Sequence, residues 1–184
     1  MDVFEVIRKN RCCKSYRPDM PKQEVLARVV GAGLWAPSGM NIQGWDIAVM
    51  TGKPRDEFVT LVRRNLTGRK EGRETVQPLD ATFFADFGGA PVVIAVTIFK
   101  YDKPHNLTTL QSGSALMQNL VLAAQAEGLG TCWINEFSHV EQELLAFLDK
   151  KDRQLLAITA VGYPAEEASV LAPTKPMVRW LGFD

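Results

Sequence analysis

Apolar and polar positions follow two different periods along the chain, and these periods divide it into predicted helices and strands. In five stretches the apolar side chains recur at the three- and four-residue spacing of an amphipathic helix. The predicted helices cover residues 2–9, 22–34, 54–66, 107–127 and 140–148. Four shorter stretches are apolar and rich in β-branched residues, which is typical of buried strands. The predicted strands cover residues 45–50, 91–99, 131–134 and 155–163.

The order of these elements indicates the fold class. Two helices come first, and strands separated by helices follow, so we predict a single α+β domain, residues 1–184, with a central mixed sheet flanked by helices. Residues 67–86 show the least pattern. Residues 164–184 contain three prolines and two late aromatic side chains, Trp180 and Phe183. Because such side chains are rarely left in water, this segment is expected to be an extended arm that packs on another surface.

Charge and hydropathy exclude several classes of partner. The 184 residues include 21 Lys and Arg and 21 Asp and Glu, so the formal net charge is zero. A neutral chain lacks the basic surface of a nucleic-acid-binding protein. No apolar run reaches the roughly 20 residues that span a bilayer, and the first ten residues lack the apolar core of a signal peptide. We therefore expect a cytoplasmic protein with neither nucleic acid nor membrane as a partner.

The cysteines and histidines point away from disulfides and metals. The three cysteines are Cys12, Cys13 and Cys132. An odd number, with two adjacent, predicts no disulfide framework and suggests a reducing compartment. A bridge between neighbouring cysteines needs a strained peptide, so packing roles are favoured over a redox pair for Cys12 and Cys13. The two histidines, His105 and His139, form no cluster with cysteine at ligand spacing, and no metal site is expected.

A basic segment follows the first predicted helix. Arg11, Lys14 and Arg17 place three cations within seven residues. Arginine offers forked donors to a phosphate and lysine a mobile point charge, so the segment is a candidate anion site. A solvated basic turn is the alternative that these residues by themselves leave open.

The loop over residues 36–45 carries the richest polar chemistry. Ser38, Asn41 and Gln43 supply uncharged donors and acceptors, which suit the edge of a planar heterocycle. A plain connecting loop is the alternative. Gly128-Leu129-Gly130 lacks the third glycine of a dinucleotide fingerprint and follows a helix, so we interpret it as a helix C-cap. The sequence contains neither a phosphate-binding P-loop motif nor a nucleophile elbow.

Taken in order, these motifs resemble the FMN-dependent nitroreductase family. Residues 11–16 (RCCKSY) resemble its N-terminal signature, R-R-S-x-R-x-F, and residues 36–45 (APSGMNIQGW) resemble its motif A-P-S-x-x-N-x-Q-P-W. Residues 111–134 are similar to its central helix and following strand, and residues 161–164 and 175–176 to its closing segments. Each motif is moderately specific, but the four occur in the expected order over nearly the whole chain.

The sequence departs from the family pattern at four positions. Asn10, Cys12 and Lys14 stand where the signature has arginine, serine and arginine, and Gly44 replaces the proline before the tryptophan. A thiol is a weaker hydrogen-bond donor than a hydroxyl. Cys12 is therefore expected to weaken one side-chain contact with a phosphate.

The resemblance implies a three-layer sandwich and an intertwined homodimer with two FMN sites at the subunit interface. It also implies an NAD(P)H oxidoreductase. NADH or NADPH would be the co-substrate, and a nitroaromatic, a quinone or a similar conjugated small molecule would be the electron acceptor. Hydride would pass through flavin N5 in ping-pong order, with no catalytic side chain and no metal. Another flavin reaction on the same scaffold, such as reductive dehalogenation, dehydrogenation or oxidative flavin breakdown, stays open. So does a non-enzymatic FMN-binding role.

The resemblance also assigns residues to the flavin. Arg11 would lie near the phosphate and Lys14 near the N1–O2 edge, where a cation favours reduction. The backbone of Cys12 and Cys13 would complete this part of the site. The polar loop of the partner subunit would line the ring with Pro37, Ser38, Gly39 and Asn41. The remaining expected contacts are Gln111, Trp133, Asn135, Glu136 and a second phosphate cation, Lys175.

Two further segments receive roles from the resemblance. Residues 65–87 correspond to the segment that forms a lid over the flavin. Residues 165–184 would be a C-terminal arm docked on the partner subunit, and this docking would account for Trp180 and Phe183.

Overall fold

The computed structural model describes residues 2–66, 81–100, 106–135, 137–138, 140–166 and 178–182. The helices are α1 (Val3–Lys9), α2 (Gln23–Leu34), α3 (Gly52–Leu66), α4 (Ala81–Asp86), α5 (Asn106–Ala126) and α6 (Glu141–Phe147). The strands are β1 (Trp45–Thr51), β2 (Val92–Phe99), β3 (Gly130–Ile134) and β4 (Arg153–Gly162). All nine predicted elements are confirmed, with ends within two residues of the prediction. Helix α4 was not predicted, because it is short and lies in the least patterned part of the chain.

The four strands form one sheet in the order β1-β2-β4-β3, and each neighbouring pair is antiparallel. The expectation of a mixed sheet is therefore wrong for these strands. Strands β2 and β3 do run in the same direction and are joined through α5, as an alternating strand and helix order suggests. However, β4 lies between them and pairs antiparallel with both. In the described ranges, the one parallel pairing is a single bridge between Cys12 and Thr131 at the edge of the sheet.

Helices cover both faces of the sheet and give three layers. Alternate side chains of a strand point to opposite faces, and β2 is buried along nearly its whole length. Val93 and Ala95 belong to a core cluster with side chains of α3, α4 and α6. Val92 and Ile94 pack against α2 and α5 on the other face. Across the parts of the chain just given, every helix is too short or too polar to cross a membrane.

Three phenylalanines anchor the region that follows α3 in the described chain. Phe83, Phe84 and Phe87 are buried, and their ring centroids lie 5.4–6.3 Å apart. Phe83, Phe84 and Phe87, near the end of the segment expected to form a lid, therefore contribute to the core. Residues 67–80 lie outside the described residues, and a lid there stays a prediction.

The cysteines correct the sequence interpretation. Cys12 and Cys132 form a disulfide across a sequence separation of 120 residues, so the expectation that no disulfide forms is wrong. The spacing carried no sign of it, because Cys12 reaches Cys132 only when residues 11–13 lie beside β3. Cys13 is a buried free thiol, which is consistent with the packing role expected for it.

Candidate functional site

The basic segment comprises residues 10–17, and its first half lies along the outer edge of β3. The backbone N–H of Cys13 donates to the carbonyl of Thr131 at 2.8 Å. Cys12, one residue earlier, is bound covalently to Cys132. Because β3 is the last strand of the sheet, its outer backbone groups are open to such pairing. The edge of the sheet thus holds this part of the segment in place.

The second half of the basic segment is held by other parts of the fold. The N–H of Tyr16 donates to the carbonyl of Gly88 at 3.0 Å, and the N–H of Arg17 donates to the carbonyl of Tyr163 at 2.9 Å. The buried Tyr16 hydroxyl donates to the carbonyl of Cys13 at 2.9 Å. Burial raises the pKa of Tyr16, so the hydroxyl keeps its proton and the hydrogen bond persists at neutral pH.

The fixed backbone presents positive charge to solvent. The side chain of Lys14 is exposed, and its ammonium has no ion-pair or hydrogen-bond partner in the described part of the chain. Arg11 is half-buried and donates from Nη1 to the carbonyl of Asn10 at 2.6 Å. A pair of cations three residues apart on a constrained backbone is a suitable site for an anion.

The polar loop, residues 36–45, is ordered by its own hydrogen bonds and by α5. The N–H of Gln43 donates to Ser38 Oγ at 2.8 Å. The N–H of Gly39 donates to Ser112 Oγ on α5 at 3.4 Å. A Cβ on Gly39 would lie 2.1 Å from the methyl group of Thr108. The loop therefore sits directly against the N-terminal part of α5.

Backbone strain is concentrated in the same loop. Met40, Asn41 and Gln43 have φ values of 51°, 55° and 50°, in the left-handed region that non-glycine residues rarely adopt. Each such residue costs on the order of 1 kcal/mol, and strain of this kind clusters at functional sites. The strain supports a functional interpretation of the loop over a plain connection.

The structure brings the predicted site residues together in two groups. The first group lies along and just beyond β3 and contains Arg11, Cys12, Cys13, Lys14, Trp133 and Asn135. The second lies at the polar loop and the start of α5 and contains Pro37, Ser38, Gly39, Asn41 and Gln111. Glu136 and Lys175 lie outside the described residues.

Helix α5 separates the two groups within one chain. The polar loop contacts α5 at Ser112, whereas Asn10, at the start of the basic segment, donates from Nδ2 to the carbonyl of Val121 at 3.2 Å. Nine residues of helix correspond to a rise of about 14 Å. One chain therefore presents the cations and the polar loop at different levels of the same helix.

Several residues that support these groups escaped sequence reasoning. Gly88 accepts the Tyr16 hydrogen bond, and its only signal was the Gly88-Gly89 pair, which is typical of a turn. Arg153 holds the end of the polar loop, because it donates to the Gly44 carbonyl at 2.7 Å and to Thr97 Oγ1 at 3.0 Å. Arg153 lies just before the strand predicted over residues 155–163, and its position gave no local sign of that contact.

The donor set defines the kind of ligand. Two cations suit a phosphate, and the uncharged amides and hydroxyl of the polar loop suit the edge of a heterocycle. In the described ranges, no group of three or more His, Cys, Asp and Glu side chains could hold a metal ion. The fold thus defines the class of protein, an α+β sandwich, and the donor types suit a phosphorylated heterocycle.

Comparison with known proteins identifies the family. Residues 7–163 match the nitroreductase family, and the chain belongs to that family. The predicted family and the predicted enzyme class, an oxidoreductase, are confirmed. A 4-nitrobenzoate reductase of Pseudomonas putida is 25% identical over 227 aligned residues, which cover 100% of this chain and 97% of that protein.

Solved structures agree on the fold. The FMN-dependent nitroreductase NfnB from Mycobacterium smegmatis, in complex with NADPH, has a TM-score of 0.80 at 20% identity, covering 97% of this chain and 98% of that one. A nitroreductase with bound FMN from Desulfitobacterium hafniense has a TM-score of 0.80 at 21% identity, with 98% and 99% covered. At this level of identity the likeness establishes the fold.

Proposed function

We propose that the protein is an FMN-dependent NAD(P)H oxidoreductase that reduces nitroaromatic, quinone or similar conjugated acceptors. The observation that carries the proposal is the basic segment, whose exposed Lys14 ammonium lies on a backbone held against β3. Bound FMN would supply the redox chemistry, accepting hydride at N5 from NADH or NADPH and passing it to the acceptor in ping-pong order.

The residues of the chain would bind and tune this cofactor. Arg11 would hold the phosphate, and the Lys14 ammonium would face the N1–O2 edge, where a reduced flavin collects negative charge. Cys12 can contribute only its backbone while its sulfur is bonded to Cys132. Glu136 and Lys175 belong to the same proposal through the family resemblance. So do the lid expected over residues 65–87, of which 67–80 lie outside the described residues, and the C-terminal arm over residues 165–184.

A homodimer would complete the site. The polar loop and the basic segment of one chain contact α5 about 14 Å apart, so a polar loop supplied by a second copy could lie beside the cations. Large apolar side chains are exposed near the loop, with Trp35 88% and Met40 87% exposed. In the arm, Trp180 is 73% exposed. Apolar surface of this kind is typical of a subunit interface.

The test of this proposal uses the colour of the purified protein. We expect a yellow protein with flavin absorbance that NADH or NADPH bleaches under anaerobic conditions. Addition of a nitroaromatic or a quinone should then restore the oxidised spectrum. A halogenated aromatic serves as the comparison acceptor, because its preferential turnover would favour a dehalogenase.

Two results would contradict the proposal. A yellow protein that neither nucleotide reduces would favour the non-enzymatic FMN-binding role. Failure of the full-length chain to take up added FMN would exclude every flavin function. Denaturation of the purified protein and chromatography of the released chromophore distinguish FMN from other flavins.

A further inference from the structure

A turn of three consecutive left-handed residues lies next to the basic segment. Phe87, Gly88 and Gly89 have φ values of 56°, 65° and 77°. Phe87 is fully buried and is not a glycine, so its conformation is strained and must be maintained by its surroundings. We call residues 86–90 the Gly88 turn.

One arginine holds both ends of the Gly88 turn. Arg55, near the start of α3, donates from Nε to the carbonyl of Ala90 at 2.9 Å and from Nη2 to the carbonyl of Asp86. Its side chain is only 13% exposed. The turn is closed by its own acid, because Asp86 Oδ1 accepts from the Gly89 N–H at 3.1 Å. Hydrogen bonds from Arg55 and to Asp86 therefore both stabilise the left-handed backbone of the turn.

The turn packs against the backbone of Lys14. A Cβ built on Gly88 would lie 2.1 Å from the carbonyl oxygen of Lys14 and 2.8 Å from its carbonyl carbon. The Gly88 carbonyl also accepts the N–H of Tyr16 at 3.0 Å. At Gly89 the nearest atom to a built Cβ is the Tyr16 carbonyl oxygen, at 3.7 Å. Only a glycine at position 88 allows this approach to Lys14.

We infer that the Gly88 turn positions Lys14 for the flavin, with Gly88 and Arg55 as its positioning residues. The Lys14 backbone lies between the turn on one side and Cys13, which is hydrogen-bonded to β3, on the other. The side chain of Lys14 is then left pointing to solvent from a backbone that cannot shift. This inference rests on the proposed function and deepens it, because it makes the placement of the Lys14 charge depend on residues far from it in sequence.

A purely structural role makes a different prediction. The turn also carries Phe87 into a cluster of buried phenylalanines, so it could serve the core without any effect on Lys14. In that case, replacing either Gly88 or Gly89 should lower the stability of the protein. The FMN affinity and the flavin midpoint potential should then be the same in the two variants. The two glycines therefore offer a matched comparison.

The experiment compares Gly88→Ala with Gly89→Ala in the full-length protein. Both glycines have positive φ, so both alanines strain the backbone and should lower the thermal unfolding temperature. Only Gly88→Ala collides with the Lys14 backbone. We expect Gly88→Ala to weaken FMN binding about tenfold, the effect of about 1.4 kcal/mol, and to make the flavin midpoint potential more negative. Gly89→Ala should leave both quantities close to those of the unchanged protein. Equal FMN affinity and equal potential in the two variants would overturn the inference.

A second pair of variants keeps the test decisive if Gly88→Ala does not fold. Arg55→Lys retains the charge but cannot reach both carbonyls of the turn, and it should shift affinity and potential in the same direction as Gly88→Ala. The control is Arg28→Lys, because Arg28 forms an exposed ion pair with Glu127 away from the turn. An effect of Arg55→Lys no larger than that of the control would also overturn the inference.

Amide exchange separates this inference from the proposed function. The Tyr16 N–H, which donates to Gly88, should exchange slowly in the cofactor-free protein and in Gly89→Ala, but faster in Gly88→Ala. If the unchanged protein does not bind FMN while this exchange pattern holds, the proposed function fails, and what stands is only that the Gly88 turn fixes the backbone beside Lys14. If FMN binds but Tyr16 exchanges equally in both variants, the positioning fails and the proposed function stands.

Discussion

At the scale of single residues, the proposed chemistry depends on the charge of one lysine, Lys14, which no acidic side chain neutralises in the described part of the chain. Lys14 could be chosen from the sequence because it stands in a short motif with Arg11. The structure adds that its ammonium is exposed and has no partner in the described chain. Cys12 departs from the expectation that no disulfide forms, because its sulfur is bonded to that of Cys132. A side chain's type is visible in the sequence, but its bonding partner is not.

Replacing Lys14 with methionine tests the electrostatic role. Without the cation, the negative charge of the reduced flavin is less stabilised. We expect Lys14→Met to lower the midpoint potential by about 20–40 mV, the size of one solvent-screened charge interaction for a two-electron couple. Spectroelectrochemical titration of the bound flavin measures this midpoint potential. Lys53→Met, an 86% exposed lysine on α3, is the control, and an unchanged potential in Lys14→Met would contradict the role.

At the scale of elements, periodicity located the helices and strands but not their pairing. The order of helices and strands predicted a mixed sheet, but the insertion of β4 between β2 and β3 makes every neighbouring pair of these strands antiparallel. The edge position of β3 follows from that insertion. It is this edge that receives the basic segment through the Cys13 hydrogen bond and the Cys12 disulfide.

The disulfide should contribute to stability because it closes a long loop. A cross-link over a separation of 120 residues restricts the unfolded chain, and such bonds typically contribute about 2–4 kcal/mol to the free energy of unfolding. We expect Cys132→Ser to lose about this amount in urea unfolding of the cofactor-free protein. Dithiothreitol should produce a similar loss in the unchanged protein and none in Cys132→Ser. Equal stability of the unchanged protein with and without reductant would contradict this expectation.

At the scale of the whole molecule, the exposed apolar surface supports the proposal of an assembly larger than one chain. The polar loop and Asn10, at the start of the basic segment, contact different levels of α5, and Trp35, directly before the loop, is 88% exposed. A monomer would leave this tryptophan in water and the site in two parts. A second copy would resolve both features with one interface.

Substitution of Trp35 tests the assembly. We expect the unchanged protein to have twice the 20.4 kDa mass of one chain in light scattering after gel filtration. Trp35→Glu should shift the mass toward one chain and weaken FMN binding, because a charge in an apolar interface opposes association. Lys151→Glu, on an exposed turn, should keep the larger mass. An unchanged protein that is monomeric at micromolar concentration, with FMN bound, would contradict the shared site.

The sequence by itself predicted the helices and strands other than α4, indicated the family and supplied the candidate cationic and polar site residues. These features are local, since helix and strand periods and short motifs involve neighbours within a few residues. Tertiary structure alone decided the antiparallel strand order, the Cys12–Cys132 bond and the contact of Gly88 with Lys14. Each of these joins residues tens of positions or more apart, and their meeting depends on how β4 and the helices pack around the sheet.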